Sequence, residues 1–279
     1  MSWRDIWSPA GRARSAALGQ RETTLCEHLA GNDGFHDLET VFYPIQFRDF
    51  IEVIHTSAPF SFTSSGNDIP GNKSDNLCIK AYELLKNDYP NIPPAQLHLH
   101  KVIPTGAGLG GGSADGAFTL QLLNKKFNLD LSSEQLMKYA LQLGSDCPFF
   151  IINKPCLATG RGEKLEPVSI DLSTYQIILV NPGIAVHTSA AFSNITPALP
   201  KKSTADIIQQ PIDTWKEELI NDFEDSIFKQ HPSIAAIKDK LYNAGAIYAS
   251  MSGSGSTVYG IFDKEVNIKI ENLEFRIMN

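Results

Sequence analysis

The chain is 279 residues long, with 42% hydrophobic residues, 20% charged residues and a formal net charge of −7. That length can bury a sizeable core and fits one large domain or two smaller ones, of which two are expected here. No apolar run approaches a membrane span and no basic stripe offers a face to nucleic acid, so an anionic ligand would have to rely on local donors. The four cysteines, Cys26, Cys78, Cys147 and Cys156, lack C-x-x-C spacing. This suits reduced thiols in a cytoplasmic protein and argues against structural zinc.

The opening MSWRDIWSPAGRARS and the residues up to about 30 follow neither a helical nor a strand period, and no compact apolar region suggests a secretory signal. From Asp33 the pattern sharpens. Asn32-Asp33-Gly34 marks a turn, and LETVFYPIQF and FIEVIH (50–55) predict strands of an antiparallel sheet. The polar residues 63–75 are expected to form a loop. NLCIKAYELLK then predicts a helix with Leu77, Ala81, Leu84 and Leu85 on one face, ended by Pro90, Pro93 and Pro94. Gln96 to Ile103 alternates as a strand. Leu97 and Leu99, with Lys101 next in register, take one face, and His98, His100 and Val102 take the other. A metal reading of the two histidines lacks a nearby third ligand.

Lys101 to Asp115 reads KVIPTGAGLGGGSAD, with five glycines among the seven residues Gly106 to Gly112. Such a backbone can reach φ > 0 and converge its N–H groups on an anion at a helix N-terminus, which makes the stretch a phosphate cradle. Gly106, Gly108 and Gly111 also satisfy G-x-G-x-x-G, but two helical segments follow where a dinucleotide fold needs a second strand and an acidic residue. Gly106 and Gly111 have P-loop spacing, yet Gly112 stands where that loop needs its Lys.

After the loop, Ser113 is expected to begin a buried helix carrying Ala117, Phe118, Leu120, Leu122 and Leu123. Ser132 and Gln135 spell a capping box for the next helix, whose face is Leu136, Tyr139, Ala140 and Leu143 and which ends at Gly144. SDCPFFII is read as Asp146 leading into an apolar strand, and this Asp is either a turn residue or a general base at the mouth of the loop. Past Pro155 the composition shifts and a second unit starts near ATGRGE (158–163). YQIILVNP (175–182) predicts a strand buried on both faces, and helices are expected near 205–208, over 215–229 and over 233–242. In MSGSGSTVYGIF the small residues Ser252, Gly253, Ser254, Gly255 and Ser256 lie between apolar strands. A tight hairpin approaching a ligand or the first glycine loop fits better than a flexible linker.

The central P-x-x-x-G-L-G-G-G-S-A-D and the late M-S-G-S-G-S resemble the second and third motifs of the galactokinase, homoserine kinase, mevalonate kinase and phosphomevalonate kinase (GHMP) superfamily. Within it, GLGGGSAD together with DGFHDLETVF, GSDCPFF, ATGRGE and NPGIAVHT resembles the 4-diphosphocytidyl-2-C-methyl-D-erythritol kinases over roughly residues 33–279. The resemblance implies an α+β, two-domain GHMP kinase fold. An ATP-binding domain over 1–152 would resemble domain 2 of ribosomal protein S5, with 1–32 atypical, and a ferredoxin-like substrate domain would cover 153–279.

The implied reaction transfers the γ-phosphoryl of ATP to a hydroxyl of the cytidyl substrate. By resemblance Asp146 is the catalytic Asp, and Pro104, Gly106, Ala107, Gly108, Leu109, Gly110, Gly111, Gly112 and Ser113 hold ATP. Phe35, His36, Thr188 and Phe192 bind substrate, with the flat rings against cytosine. Ser252, Gly253, Ser254 and Gly255 form the third-motif loop. Mg²⁺ is expected with ATP and no ligand for it is assigned, Ser113 being a candidate. A small-molecule substrate, no nucleic acid, no membrane and a monomer or homodimer complete the expectation.

One departure stands out. The family begins close to P-A-K-I-N-L, about fourteen residues before its D-G-Y-H, whereas here Ala10 is followed by Gly11-Arg12 and lies twenty-three residues before Asp33. The Lys that pairs with the catalytic Asp is missing at this position. A nucleotide-binding homologue impaired in catalysis is therefore one alternative. Another GHMP small-molecule kinase is a second, against which Phe35, His36 and Phe192 argue.

Overall fold

The computed structural model describes the backbone of 17–20 and residues 38–186, 191, 202–264 and 276–278. In chain order the strands are β1 (Ala17–Gln20), β2 (Thr40–Pro44), β3 (Phe50–His55), β4 (Ser61–Gly66), β5 (Ala95–Lys101), β6 (Cys156–Thr159), β7 (Lys164–Pro167), β8 (Tyr175–Val180), β9 (Tyr248–Met251), β10 (Val258–Asp263) and β11 (Arg276–Met278). The helices are α1 (Leu77–Asp88), α2 (Gly111–Phe127), α3 (Ser133–Leu143), α4 (Cys147–Ile152), α5 (Thr204–Ile207), α6 (Trp215–Glu218), α7 (Phe223–Gln230) and α8 (Pro232–Asn243). None of the described helices is long and apolar enough to cross a membrane. The described residues divide into two compact units: 46–105 with 110–153, and 17–45 with 106–109 and 154–279.

In the first unit β5 is central, antiparallel to β3 and parallel to β4. Its alternation holds as expected: Ala95, Leu97, Leu99 and Lys101 are buried, while Gln96 and His100 face outward. Burying side chains such as Leu97 and Leu99, each 1% exposed, stabilises the fold by about 1.5–3 kcal/mol apiece. Helix α1 packs on α2, and α2 packs on α3 and α4. The capping box of α3 is present. The Ser132 hydroxyl accepts the Gln135 N–H, and the Gln135 side chain accepts the Ser132 N–H.

Four segments differ from the sequence expectation. Residues 147–152 form helix α4 and not a strand, since Pro148 in the first turn lacks only an N–H that the helix does not need. A short apolar run reads alike for a buried strand and a buried helix. Within 63–75, β4 occupies the start and pairs with β5. Its polar composition reflects exposure at the edge of the sheet. Helix α2 begins at Gly111, before Ser113. The segment 215–229 breaks into α6 and α7, because Asn221 between them turns its side chain to other partners.

The second unit holds two antiparallel sheets, ordered β1-β2-β6-β7 and β11-β8-β10-β9. Helix α8 covers β9 and β10. The core of that layer gathers Ile178, Val180, Phe223, Leu241, Val258 and Phe262.

Candidate active site

The glycine loop leaves β5 at Lys101 and enters α2 at Gly111. Gly110 is the N-cap of α2, with φ of 64°. A Cβ there would lie 2.9 Å from Phe150 Cζ, so both the backbone conformation and the space call for glycine. No side chain caps the helix and no acidic residue lies in its first turn. The N–H groups of Gly111, Gly112 and Ser113 thus begin the positive end of a helix without a side-chain cap. Gly112 is exposed and has no atom within 4 Å of where a Cβ would be built. That open space over a helix N-terminus fits a phosphate group.

Asp146 is half-buried and directly precedes α4, with the Ser145 hydroxyl donating to its Oδ1 at 3.4 Å. The next residue, Cys147, is fully buried, and its thiol makes a side-chain hydrogen bond with Ser113 in the first turn of α2. Burial pushes that thiol up to about 12, with Ser113 opposing the shift, so it stays protonated. The residue that follows Asp146 is thereby tied to the first turn of α2. Packing of α4 on α2 holds it there.

Beneath the same helix end lies a charged cluster that the sequence did not announce. The Lys101 ammonium donates to Asp49 Oδ2 at 2.5 Å and to Asp115 Oδ2 at 2.7 Å. Asp49 Oδ1 accepts the N–H groups of Val102 at 2.6 Å and Ile103 at 2.8 Å, which open the loop. The three residues are 0–4% exposed. Burial raises the Asp115 carboxyl to about 8; Lys101 pulls it down and Asp49 pushes it up. The usable clue was Lys101 itself, a cation in register with Leu97 and Leu99 on an inward face.

In the second unit the third motif forms the turn between β9 and β10, and Ser252, Gly253, Ser254 and Gly255 are all buried. The turn does approach the glycine loop. The Ser252 hydroxyl donates to the Gly108 carbonyl at 2.8 Å, and the Thr257 N–H donates to the Ala107 carbonyl at 3.1 Å. Asn221 Nδ2 donates to the carbonyls of Met251 and Gly253, both at 2.8 Å. Glu224 Oε1 accepts the Met251 N–H at 2.8 Å, while Lys238 holds its other oxygen. Reading 215–229 as one helix hid both residues.

Pro104 is half-buried, Gly106 is exposed, and Ala107 and Leu109 are buried. Phe35, His36, Thr188 and Phe192 lie outside the described residues, as do Arg12 and Arg14. His98 bonds the hydroxyls of Thr63 and Ser65, and Ser65 also bonds His100. Among the described residues no group of three or more His, Cys, Asp or Glu is arranged to hold a metal.

Residues 76–154 match the family model of the GHMP kinases N terminal domain, and residues 205–272 match that of the GHMP kinases C terminal. A 4-diphosphocytidyl-2-C-methyl-D-erythritol kinase of Bacteroides thetaiotaomicron is 52% identical over 237 residues, covering 84% of this chain and 86% of its own. The chain belongs to this kinase family. A 4-diphosphocytidyl-2-C-methyl-D-erythritol kinase of Parabacteroides distasonis is 49% identical, over 86% of this chain and 88% of its own. A crystal structure of a 4-(cytidine 5'-diphospho)-2C-methyl-D-erythritol kinase superposes with a TM-score of 0.72 at 25% identity, covering 90% of this chain and 88% of that one. The α+β GHMP kinase fold expected from the motifs is therefore the fold of the chain.

Proposed function

We propose that this chain transfers the γ-phosphoryl group of ATP to the 2-hydroxyl of 4-(cytidine 5'-diphospho)-2-C-methyl-D-erythritol, a step of non-mevalonate isoprenoid precursor synthesis. The observation that supports the reading is the bond between Ser113, in the uncapped first turn of α2, and the thiol of Cys147, the residue that follows Asp146. The acceptor is the one named in relatives at 52% and 49% identity.

In this reading the N–H groups of Gly111, Gly112 and Ser113 hold the phosphates and meet the charge that develops during transfer. Pro104 and the stretch Gly106 to Gly110 shape the rest of the cradle. The substrate hydroxyl oxygen bonds to the γ-phosphorus, and the bond from that phosphorus to the bridging oxygen breaks. ADP leaves with the electron pair, and the hydroxyl proton passes to the Asp146 carboxylate. Mg²⁺, when bound, would supply neutralisation of phosphate charge, and the Ser113 hydroxyl is the candidate side chain to hold it. Phe35, His36 and Phe192 flank the cytosine, and Thr188 contacts the substrate. The work divides into ATP binding over 1–152 and substrate shaping over 153–279, in a cytoplasmic monomer or homodimer that engages no nucleic acid.

The test is ADP release by the purified chain with ATP, Mg²⁺ and the cytidyl substrate, beside Asp146→Asn. Removing a general base is expected to lower kcat by about 10²–10⁴ with ATP affinity retained. Undiminished turnover in Asp146→Asn would take Asp146 out of the mechanism. ATP and cytidyl ligand bound without product would identify a chain silenced by its missing first-motif Lys.

A further inference from the structure

We infer that Asp49, Lys101 and Asp115 act as one buried positioning cluster that fixes both ends of the glycine loop, residues 102–103 and 111–115, for ATP. The inference rests on reading that loop as the ATP site. Asp49 comes from the segment before β3, Lys101 from the end of β5 and Asp115 from the beginning of α2. One carboxylate oxygen of Asp49 takes the ammonium while the other takes two successive loop N–H groups. The same ammonium bonds Asp115 and sits 3.0 Å from where a Gly111 Cβ would be. A single lysine therefore ties the strand, the start of the loop and the first turns of the helix together. An apolar trio would fill the space without the cost of desolvating charge, but it would leave the Val102 and Ile103 N–H groups without their acceptor.

The cluster also carries a proton of consequence. Asp115 Oδ1 is buried with no hydrogen-bond partner, and the carboxyl, raised to about 8, is protonated at neutral pH. Protonated, Asp115 adds no negative charge beside the Lys101–Asp49 pair. The Cys78 thiol of α1 also faces it, and burial first, then Asp115, raise that thiol, so it stays neutral. The carboxylates raise Lys101 against the desolvation that lowers it, so it stays charged. Loss of the Asp115 proton leaves a negative charge under the helix end that receives phosphate, which opposes ATP.

The experiment uses the full chain, measuring ATP affinity from about pH 6 to about pH 10 and hydrogen exchange of amides 102–103 and 111–115. Wild type is expected to lose about tenfold in affinity with a midpoint near 8, and Asp115→Asn, which imitates the protonated acid, is expected to stay flat. Lys101→Met is expected to raise KM for ATP about tenfold or more with kcat at saturating ATP nearly kept. Its loop amides should exchange faster while those of α3 do not, which a global loss of stability would not produce. Asp115→Asn with the wild-type pH dependence would overturn the inference. So would a Lys101→Met chain with intact α3 protection whose loop exchange and ATP affinity match wild type. A wild type that binds no ATP overturns the kinase reading, and the exchange arm still decides whether the cluster fixes the loop.

Discussion

A methyl group added at Gly108 would meet the Ser252 carbonyl oxygen at 2.2 Å and that of Gly255 at 2.6 Å, on a backbone held at φ of 74°. The same methyl at Gly112 meets nothing within 4 Å, inside a helix. Gly108→Ala is accordingly expected to destabilise the fold by about 2–4 kcal/mol, from left-handed strain plus overpacking. Gly112→Ala is expected to stabilise it by about 0.5–1 kcal/mol through helix propensity and, if the proposed ATP site holds, to weaken ATP by filling the open space over the helix end. Denaturant midpoints and nucleotide titrations on the two variants separate these effects. That the stretch forms a glycine-rich turn from strand into helix was legible from the sequence, since α2 starts at Gly111 directly after it. Which glycine faces a carbonyl and which faces open space was not, because the hairpin against Gly108 begins over a hundred positions later. Lys101 shows the same limit: alternation placed it inward, but its partners Asp49 and Asp115 come from register and helix packing.

At the scale of elements, the break between α6 and α7 has its own logic. Asn221 is buried and bridges two carbonyls of the third motif, and its own Oδ1 accepts the Phe223 N–H at 3.0 Å at the start of α7. One side chain therefore begins a helix and braces a turn. Asn221→Ala leaves buried carbonyls without donors and is expected to cost about 1–3 kcal/mol. Calorimetric unfolding measures that loss, and amide exchange at 252–257 should rise with it. The periodic elements α1, β3 and β5 were readable because a single face decides them, β8 because it is a continuous apolar run, and the capping box of α3 because its two residues are local. CPFFII was not, since six consecutive apolar residues carry no period, and Pro148 suits a helix start as well as a break. Edge strand β4 was missed for the opposite reason, its burial being too slight to enforce alternation.

For the whole molecule, the buried acid sets a slope of stability with pH. The folded Asp115 titrates near 8 against 3.8 for the free side chain, so between these values the folded chain holds a proton that the unfolded chain has released. Its stabilising share is full below 3.8, declines as pH rises through that window and is gone above 8. Asp115→Asn is expected to remove this decline, so that its denaturant midpoint overtakes that of wild type progressively toward pH 8. A constant difference across the window would mean that Asp115 titrates elsewhere. The family was legible from its motifs, which are short and contiguous in the sequence. The ionic support beneath them was not, because it is assembled from distant segments.

The chain changes unit after Ile45, Thr105, Leu109 and Asn153. A gene cut once, after codon 153, would therefore keep every segment of the first unit in the leading product and divide the second unit. The trailing half keeps β6 and β7 but forfeits β2, with which β6 pairs, and the Ala107 and Gly108 carbonyls that Ser252 and Thr257 engage. The bare edge of β6 would invite aggregation. The trailing half expressed alone is expected to be insoluble and to be rescued by co-expression of the leading half, as fractionation of the lysate would show. Recombination faces the same arithmetic. Exchanging the trailing half for a relative's must carry leading segments with it, so the two units are bound to a common heredity.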